Sequence, residues 1–234
     1  MDAESLKLEQ QAYDFIAHSG SELVKRFADP TIYKPVERPV SLFMAGSSGA
    51  GKTEVSIGLV KRFTTRPIRI DADEIRQLCP GYTGGNAHVF QKAATKGVNM
   101  LFDYALHKNI HAILDGTFAY ADAPKNIERS LKHNRIVELW FVYQDPLVAW
   151  EFTKVREIKE CRHVDKDIFI RGFFNAKANA INVKTAFGSN LTLNLLVKNI
   201  DNTDGELFLN IQANDLDHRI GQVYTEGELR GLLL

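Results

Sequence analysis

The sequence has no excess of charge: Lys plus Arg equal Asp plus Glu at 29 each in 234 residues. Such a chain carries no net field toward nucleic acid or an anionic membrane surface, which weighs against polyanionic partners while leaving room for a local basic cleft. Cysteine is scarce. Cys79 and Cys161 lie far apart and fit no metal-ligand spacing, so a reducing compartment is the expected home. No apolar run approaches membrane-spanning length, and the start, MDAESLKLEQQ, lacks the basic residues and apolar core of a signal peptide. A soluble, cytoplasmic protein with no membrane or nucleic-acid partner is expected. The length suits a single α/β domain, or one with a modest appendage, able to bury a sizeable core.

What is present is concentrated in LFMAGSSGAGKTE (42–54). Gly46, Gly51, Lys52 and Thr53 satisfy GxxxxGK[ST], a phosphate-binding loop in which a strand hands over to a helix whose first N–H groups point into a turn. Glycine serves there because side chains block phosphate oxygens from those N–H groups and because several loop positions need positive φ. The pattern assigns Lys52 to the β and γ phosphates of a bound nucleotide and the Thr53 hydroxyl to a Mg²⁺ shell. Gly46, Ser47, Ser48, Gly49, Ala50, Gly51, Lys52, Thr53 and Glu54 are the candidate nucleotide-binding residues. The flanks agree with this reading: VSLFMA (40–45) reads as a buried strand and EVSIGLVKRF (54–63) as a helix with apolar residues at Val55, Leu59 and Phe63.

Elsewhere the pattern alternates. The spacing predicts one or two N-terminal helices, interrupted near Ser19 and Gly20 and ended by Asp29-Pro30, followed by a connector, DPTIYKPVERP. PIRID (67–71), IHAIL (110–114) and IVELWFVY (136–143) read as strands. Val89 to Leu106 reads as a long helix with two apolar i+4 rows, and ADAPKNIERSLKH as another helix. A charged helical stretch follows Pro146 through residue 171, with weaker patterning beyond it. LTLNLLVKNI (191–200) and ELFLNI (206–211) read as strands about the turn DNTDG, and Thr225 as the cap of a last helix. The fold class expected is α/β, a parallel sheet flanked by helices with a helical N-terminal segment and a helical lid, ligand groups gathering at the carboxyl ends of the strands. The whole chain, 1–234, reads as one domain: helices and connector over 1–39, a core over 40–200 with a lid at about 150–175, and a C-terminal strand and helix over 201–234.

Phosphoryl transfer to a hydroxyl needs a group that accepts its proton and positive charge about the transferred phosphoryl. Asp73, in RIDADEIRQ, is the candidate base, the competing role being an N-cap for the short helix after it. Asp71 is its rival, with closing the strand as the alternative. Asp115 ends a strand and either holds a metal-bound water or substrate hydroxyl, or makes an Asp-Gly turn. The segment KVREIKECRHVDKDIFIRG carries Arg156, Arg162, His163 and Arg171; guanidinium suits phosphate oxygens, although most charges on such a helix are simply solvated. His163 has no partner ligand at helical spacing, so no metal role is assigned to it.

Taken in order, GSSGAGKT, IDADEIRQLCPGY, LDGTFAYAD and VREIKECRHV resemble the zeta toxin family of P-loop kinases over roughly residues 20 to 200. The resemblance implies a kinase fold, ATP or GTP with Mg²⁺ as cofactors, UDP-N-acetylglucosamine as acceptor and a small helical antitoxin as inhibitor. It implies Asp73 as base, Asp115 and Thr117 on the substrate sugar or the magnesium shell, and Arg156 and Arg162 as lid arginines on the phosphates, with Arg171 less clearly placed. Arg76 and Asn99 join the substrate-binding candidates. Two departures stand out: Asn99 where an acidic contact is expected, and Ala119 where an arginine is common. Both fall on the sugar-nucleotide side. A kinase for another hydroxyl, such as an antibiotic, a nucleoside or a polynucleotide end, and a nucleotide-dependent switch or binding protein are the competing readings, the switch weakened because no NKxD motif is present.

Overall fold

The computed structural model describes residues 1–220 and 224–233. Two N-terminal helices, α1 (Ala3–His18) and α2 (Gly20–Phe27), lead through the connector to β1 (Val40–Ala45). Then come α3 (Lys52–Val60), β2 (Ile68–Asp71), α4 (Ala72–Arg76), α5 (Gln91–His107), β3 (Ala112–Asp115), α6 (Ala123–Lys132) and β4 (Ile136–Tyr143). After them stand α7 (Pro146–Glu160), α8 (Lys166–Phe187), β5 (Thr192–Lys198), β6 (Asp204–Phe208), α9 (Asp215–Arg219) and α10 (Glu226–Leu232). The sheet has six strands in the order β2-β3-β1-β4-β5-β6, parallel except for β6, which returns antiparallel to β5. This is the α/β architecture expected from the alternating pattern.

The strands bury both faces. Leu42, Met44, Ile113, Trp140 and Val142 point to the α3 side with Ala50 and Leu59. Phe43, Ala45, Ala112, Leu114, Leu139 and Phe141 point the other way, into the core shared with α1, α5 and α8. That period of two within apolar runs is what a parallel sheet covered on both sides requires. At the amino ends of the strands the buried Arg135 donates to Ser41 Oγ (2.6 Å) and to the carbonyls of Val40 (2.8 Å), Ala105 (3.2 Å) and Ile110 (2.6 Å), tying β1 to the end of α5.

Most element ends fall within a few residues of the expected bounds, and three differences have a local physical cause. The helix after the phosphate loop stops at Val60, with Arg62 and Phe63 in tighter turns bonded to Leu59 and Val60. The charged stretch after Pro146 is two helices, broken where Cys161 adopts a left-handed φ of 54° and Asp165 caps α8 through Ile168 N (3.0 Å). The second helix runs on to Phe187, burying Phe169, Phe173, Ala176, Ala180 and Val183. β6 runs Asp204–Phe208 rather than over 206–211; it starts early because Asp201 Oδ1 accepts from Thr203 N (3.0 Å) and Thr203 Oγ1 (2.6 Å) and completes the turn. The last helix carries the expected cap, a reciprocal box between Thr225 and Glu228.

A candidate phosphoryl-transfer site

The phosphate loop links β1 to α3, and its glycines are fixed by close backbone approach. Gly46 (φ 132°) passes the Val142 carbonyl so closely that a Cβ would lie 2.2 Å from its oxygen, and at Gly49 (φ 75°) a Cβ would lie 2.0 Å from the Ala149 carbonyl oxygen. No side chain fits there without moving backbone. Gly49→Ala is therefore expected to lower stability by about 1–3 kcal/mol. Gly58→Ala, where nothing lies within 4 Å of the new methyl, is expected to raise it by about 0.5–1 kcal/mol. Urea unfolding of the two variants checks the pair.

Lys52 opens α3, with Gly51 as its left-handed N-cap (φ 82°). Its ammonium donates to the Ser47 carbonyl (2.6 Å), which closes the lysine over the loop. Burial pulls the Lys52 ammonium down to about 8; Arg156 and Arg162 add to the fall, and Asp115 and Asp73 oppose it. Arg156, Arg162 and both candidate carboxylates thus act on the same lysine. Phosphate oxygens beside this group would raise its pKa, so nucleotide binding takes up a proton above pH 8. Affinity should be flat below pH 8 and fall by up to about tenfold per pH unit above it. Titration calorimetry in buffers of different ionisation enthalpy checks this, and Lys52→Ala should abolish the dependence.

Asp115 ends β3, directly across the β2–β3 ladder from Asp71. Its side chain is only 3% exposed. Oδ2 accepts from Ser56 Oγ (2.7 Å), one helical turn beyond Lys52, and from Arg69 Nη1 (2.5 Å). Thr117, just beyond, accepts from Gly46 N through its carbonyl (3.2 Å) and from Ala119 N through its hydroxyl (3.4 Å), so the loop after β3 is tied to the phosphate loop.

The cap of α4 is Asp71, not Asp73: Asp71 Oδ1 accepts from Asp73 N (2.8 Å). Asp71 is the last residue of β2, so its extended backbone suits the cap position. Burial, and then the carboxylates of Asp115 and Asp73, push the Asp71 carboxyl up. Asp73 lies inside the first turn, its carboxylate not used in the cap: Oδ1 pairs with Arg76 and Oδ2 with Arg162. Arg76 is buried and also donates to Gln91 Oε1 at the start of α5. The close packing of α4 on α5 depends on Gly97, where a Cβ would lie 2.7 Å from Ile75 Cγ2.

The structure therefore brings together Lys52, Asp73, Arg76, Asp115, Thr117 and Arg162, with Arg156 near enough to act on Lys52. Arg162 sits in the break between α7 and α8, whereas Arg171 lies exposed on α8. Asn99 is exposed on α5, in the same i+4 row as Thr95 and Gln91 and about two turns beyond Gln91, the partner of Arg76. His163 pairs with Glu157 on the surface (2.7 Å). Sequence reasoning missed Ser56, Gln91 and Arg69; an arginine between two isoleucines in a short buried strand was the available signal for the last. Among the described residues no cluster of three or more His, Cys, Asp or Glu suits a metal ion. Thr53 and Asp115 are hard oxygen donors of the kind Mg²⁺ uses when phosphates and water supply the rest of its shell.

The family model for Zeta toxin matches residues 25–211, from the end of α2 to just past β6. The chain belongs to the zeta toxin family. Toxin PezT of Streptococcus pneumoniae is 27% identical over 131 residues, which cover 53% of this chain and 52% of PezT. That match spans about half the length of the curated relative. A chain from the structure of the PezAT chromosomal toxin–antitoxin system of the same organism superposes with a TM-score of 0.65 at 15% identity, covering 93% of this chain and 90% of that one. A chain of the AvrRxo1-ORF1:AvrRxo1-ORF2 structure with sulphate ions gives 0.58 at 15% identity, covering 92% and 71%. At these identities the superpositions show a shared fold.

Proposed function

We propose that this zeta toxin family member transfers the γ-phosphoryl group of ATP or GTP to a hydroxyl of a small molecule, UDP-N-acetylglucosamine or a related metabolite. The observation that carries the reading is the Asp73 carboxylate held between Arg76 and Arg162 within the electrostatic reach of Lys52. A base, a phosphate cation and lid guanidiniums around one cleft are what this transfer asks of a protein. Asp73 accepts the hydroxyl proton as the new O–P bond forms and the bond from the β-γ bridging oxygen to the γ-phosphorus breaks, releasing the nucleoside diphosphate. Lys52 neutralises the β and γ oxygens, and Arg156 and Arg162 turn onto the phosphates, which frees Asp73 from one of its two ion pairs. Thr53 and Asp115 would hold Mg²⁺, which neutralises phosphate charge when bound.

The acceptor is argued from two side chains. With Asn99 and Ala119 in place of a carboxylate and an arginine, the sugar-nucleotide side has lost one group of each sign. A missing polar partner costs roughly 1–3 kcal/mol, about ten- to a hundredfold in binding. UDP-N-acetylglucosamine is accordingly expected to be a poorer acceptor than some other hydroxyl-bearing metabolite. Steady-state comparison across a panel tests this; saturable transfer to UDP-N-acetylglucosamine at micromolar concentration would mean that the two replacements are compensated. PezT is named a toxin and its structure belongs to a toxin–antitoxin system, and a small helical antitoxin is proposed as partner on that likeness. Use of ATP or GTP as phosphoryl donor fits a cytoplasmic location. No helix among the described residues is long and apolar enough to cross a membrane.

A further inference from the structure

Arg69 has no part in the steps above, yet its guanidinium joins three carboxylates from three elements. Nη1 lies 3.1 Å from Asp71 Oδ2 at the end of β2 and 2.5 Å from Asp115 Oδ2 at the end of β3, and Nη2 pairs with Glu74 on α4. Its side chain is only 16% exposed, between the buried Ile68 and Ile70. Asp71 and Asp115 are direct neighbours across parallel strands, so two carboxylates stand side by side and need a cation between them. Each belongs to a different half of the site. Asp71 caps α4 through Asp73 N and so sets the turn that presents Asp73. Asp115 is held with Ser56, in the same α3 turn as Thr53.

We propose that Arg69 is a positioning residue that locks the acceptor-side carboxylate Asp73 and the metal-side carboxylate Asp115 into one register. A planar guanidinium with two outer nitrogens spans three carboxylates, whereas an ammonium is a point charge that reaches fewer of them. Losing such a support shell typically costs ten- to a hundredfold in metal affinity or activity. The inference rests on the phosphotransfer reading for the roles of Asp73 and Asp115, and its test is chosen to fail separately from it.

The test compares wild type, Arg69→Met and Arg69→Lys, with Arg62→Met as a surface control. It measures Mn²⁺ binding to the complex with a non-hydrolysable nucleotide by electron paramagnetic resonance, nucleotide affinity in EDTA, and kcat and KM. Arg69→Met is expected to weaken Mn²⁺ binding and to lower kcat by about ten- to a hundredfold each, with Arg69→Lys in between. Nucleotide affinity in EDTA should stay within about twofold of wild type in every variant. Should the methionine variant not fold, the lysine variant carries the comparison. Mn²⁺ affinity and kcat within about twofold of wild type in the folded Arg69 variants would overturn the proposal. Weaker Mn²⁺ binding in a protein whose wild type phosphorylates no acceptor would uphold the clamp and remove the phosphotransfer reading instead.

Discussion

Lys52→Ala is expected to lower acceptor-dependent turnover by about 10²–10³-fold or more while leaving the fold intact. The loss follows from taking away the cation aimed at the β and γ oxygens; the loop itself is shaped by Gly46 and Gly49 against the Val142 and Ala149 carbonyls, which the substitution does not touch. Stability should hold or rise. The folded-state pKa of Lys52, about 8, lies below its ordinary 10.5, so the charged form is disfavoured in the fold. That cost is fully present below pH 8 and is relieved as the pH climbs toward 10.5. At neutral pH the alanine variant escapes it, at the loss of one bond to the Ser47 carbonyl. Thermal unfolding together with a coupled nucleotide-consumption assay reads both quantities. A variant turning over near the wild-type rate would remove the basis for this site.

Asp73→Asn separates catalysis from binding. The amide keeps the size of the side chain but cannot accept the acceptor proton, and the rate is expected to fall by about 10²–10⁴-fold. Helix α4 should survive, because its cap is Asp71 and that bond to Asp73 N is untouched. The buried Arg76 loses its charged partner, which is expected to cost roughly 1–3 kcal/mol of stability. Nucleotide affinity should barely move. Normal turnover with a large drop in affinity would instead assign Asp73 a binding role and favour a nucleotide-dependent switch.

Local constraints were legible in the sequence and non-local ones were not. The phosphate loop could be read because its glycines answer to backbone demands within a few residues, and the strands because each carries its own apolar run. The choice between Asp71 and Asp73 as cap was not readable from DAD alone. It depends on where β2 ends, which is set by the pairing of Asp71 with Asp115 on a strand more than forty positions away. Arg69 was hidden for the same reason: its partners come together only when β2, β3 and α4 are in register. The break that delivers Arg162 to Asp73 rests on a left-handed Cys161, a conformation that a cysteine does not advertise. The buried row of α8 was present as Phe169, Phe173, Ala176, Ala180 and Val183, but its alanines gave it little contrast against the charged stretch before it.

On the proposed reading the site moves a phosphoryl group from nucleotide to a hydroxyl, with Asp73 taking the proton. The most direct test of this reading is a single-turnover reaction of the Mg²⁺–nucleotide complex, labelled in the γ-phosphate, with a panel of hydroxyl-bearing metabolites. The fate of the label is then followed by phosphorus NMR and mass spectrometry. The expected result is label in a phosphate monoester on one acceptor, formed by wild type and nearly absent with Asp73→Asn. Label appearing only as inorganic phosphate, at the same rate with and without every acceptor and in both proteins, would contradict it.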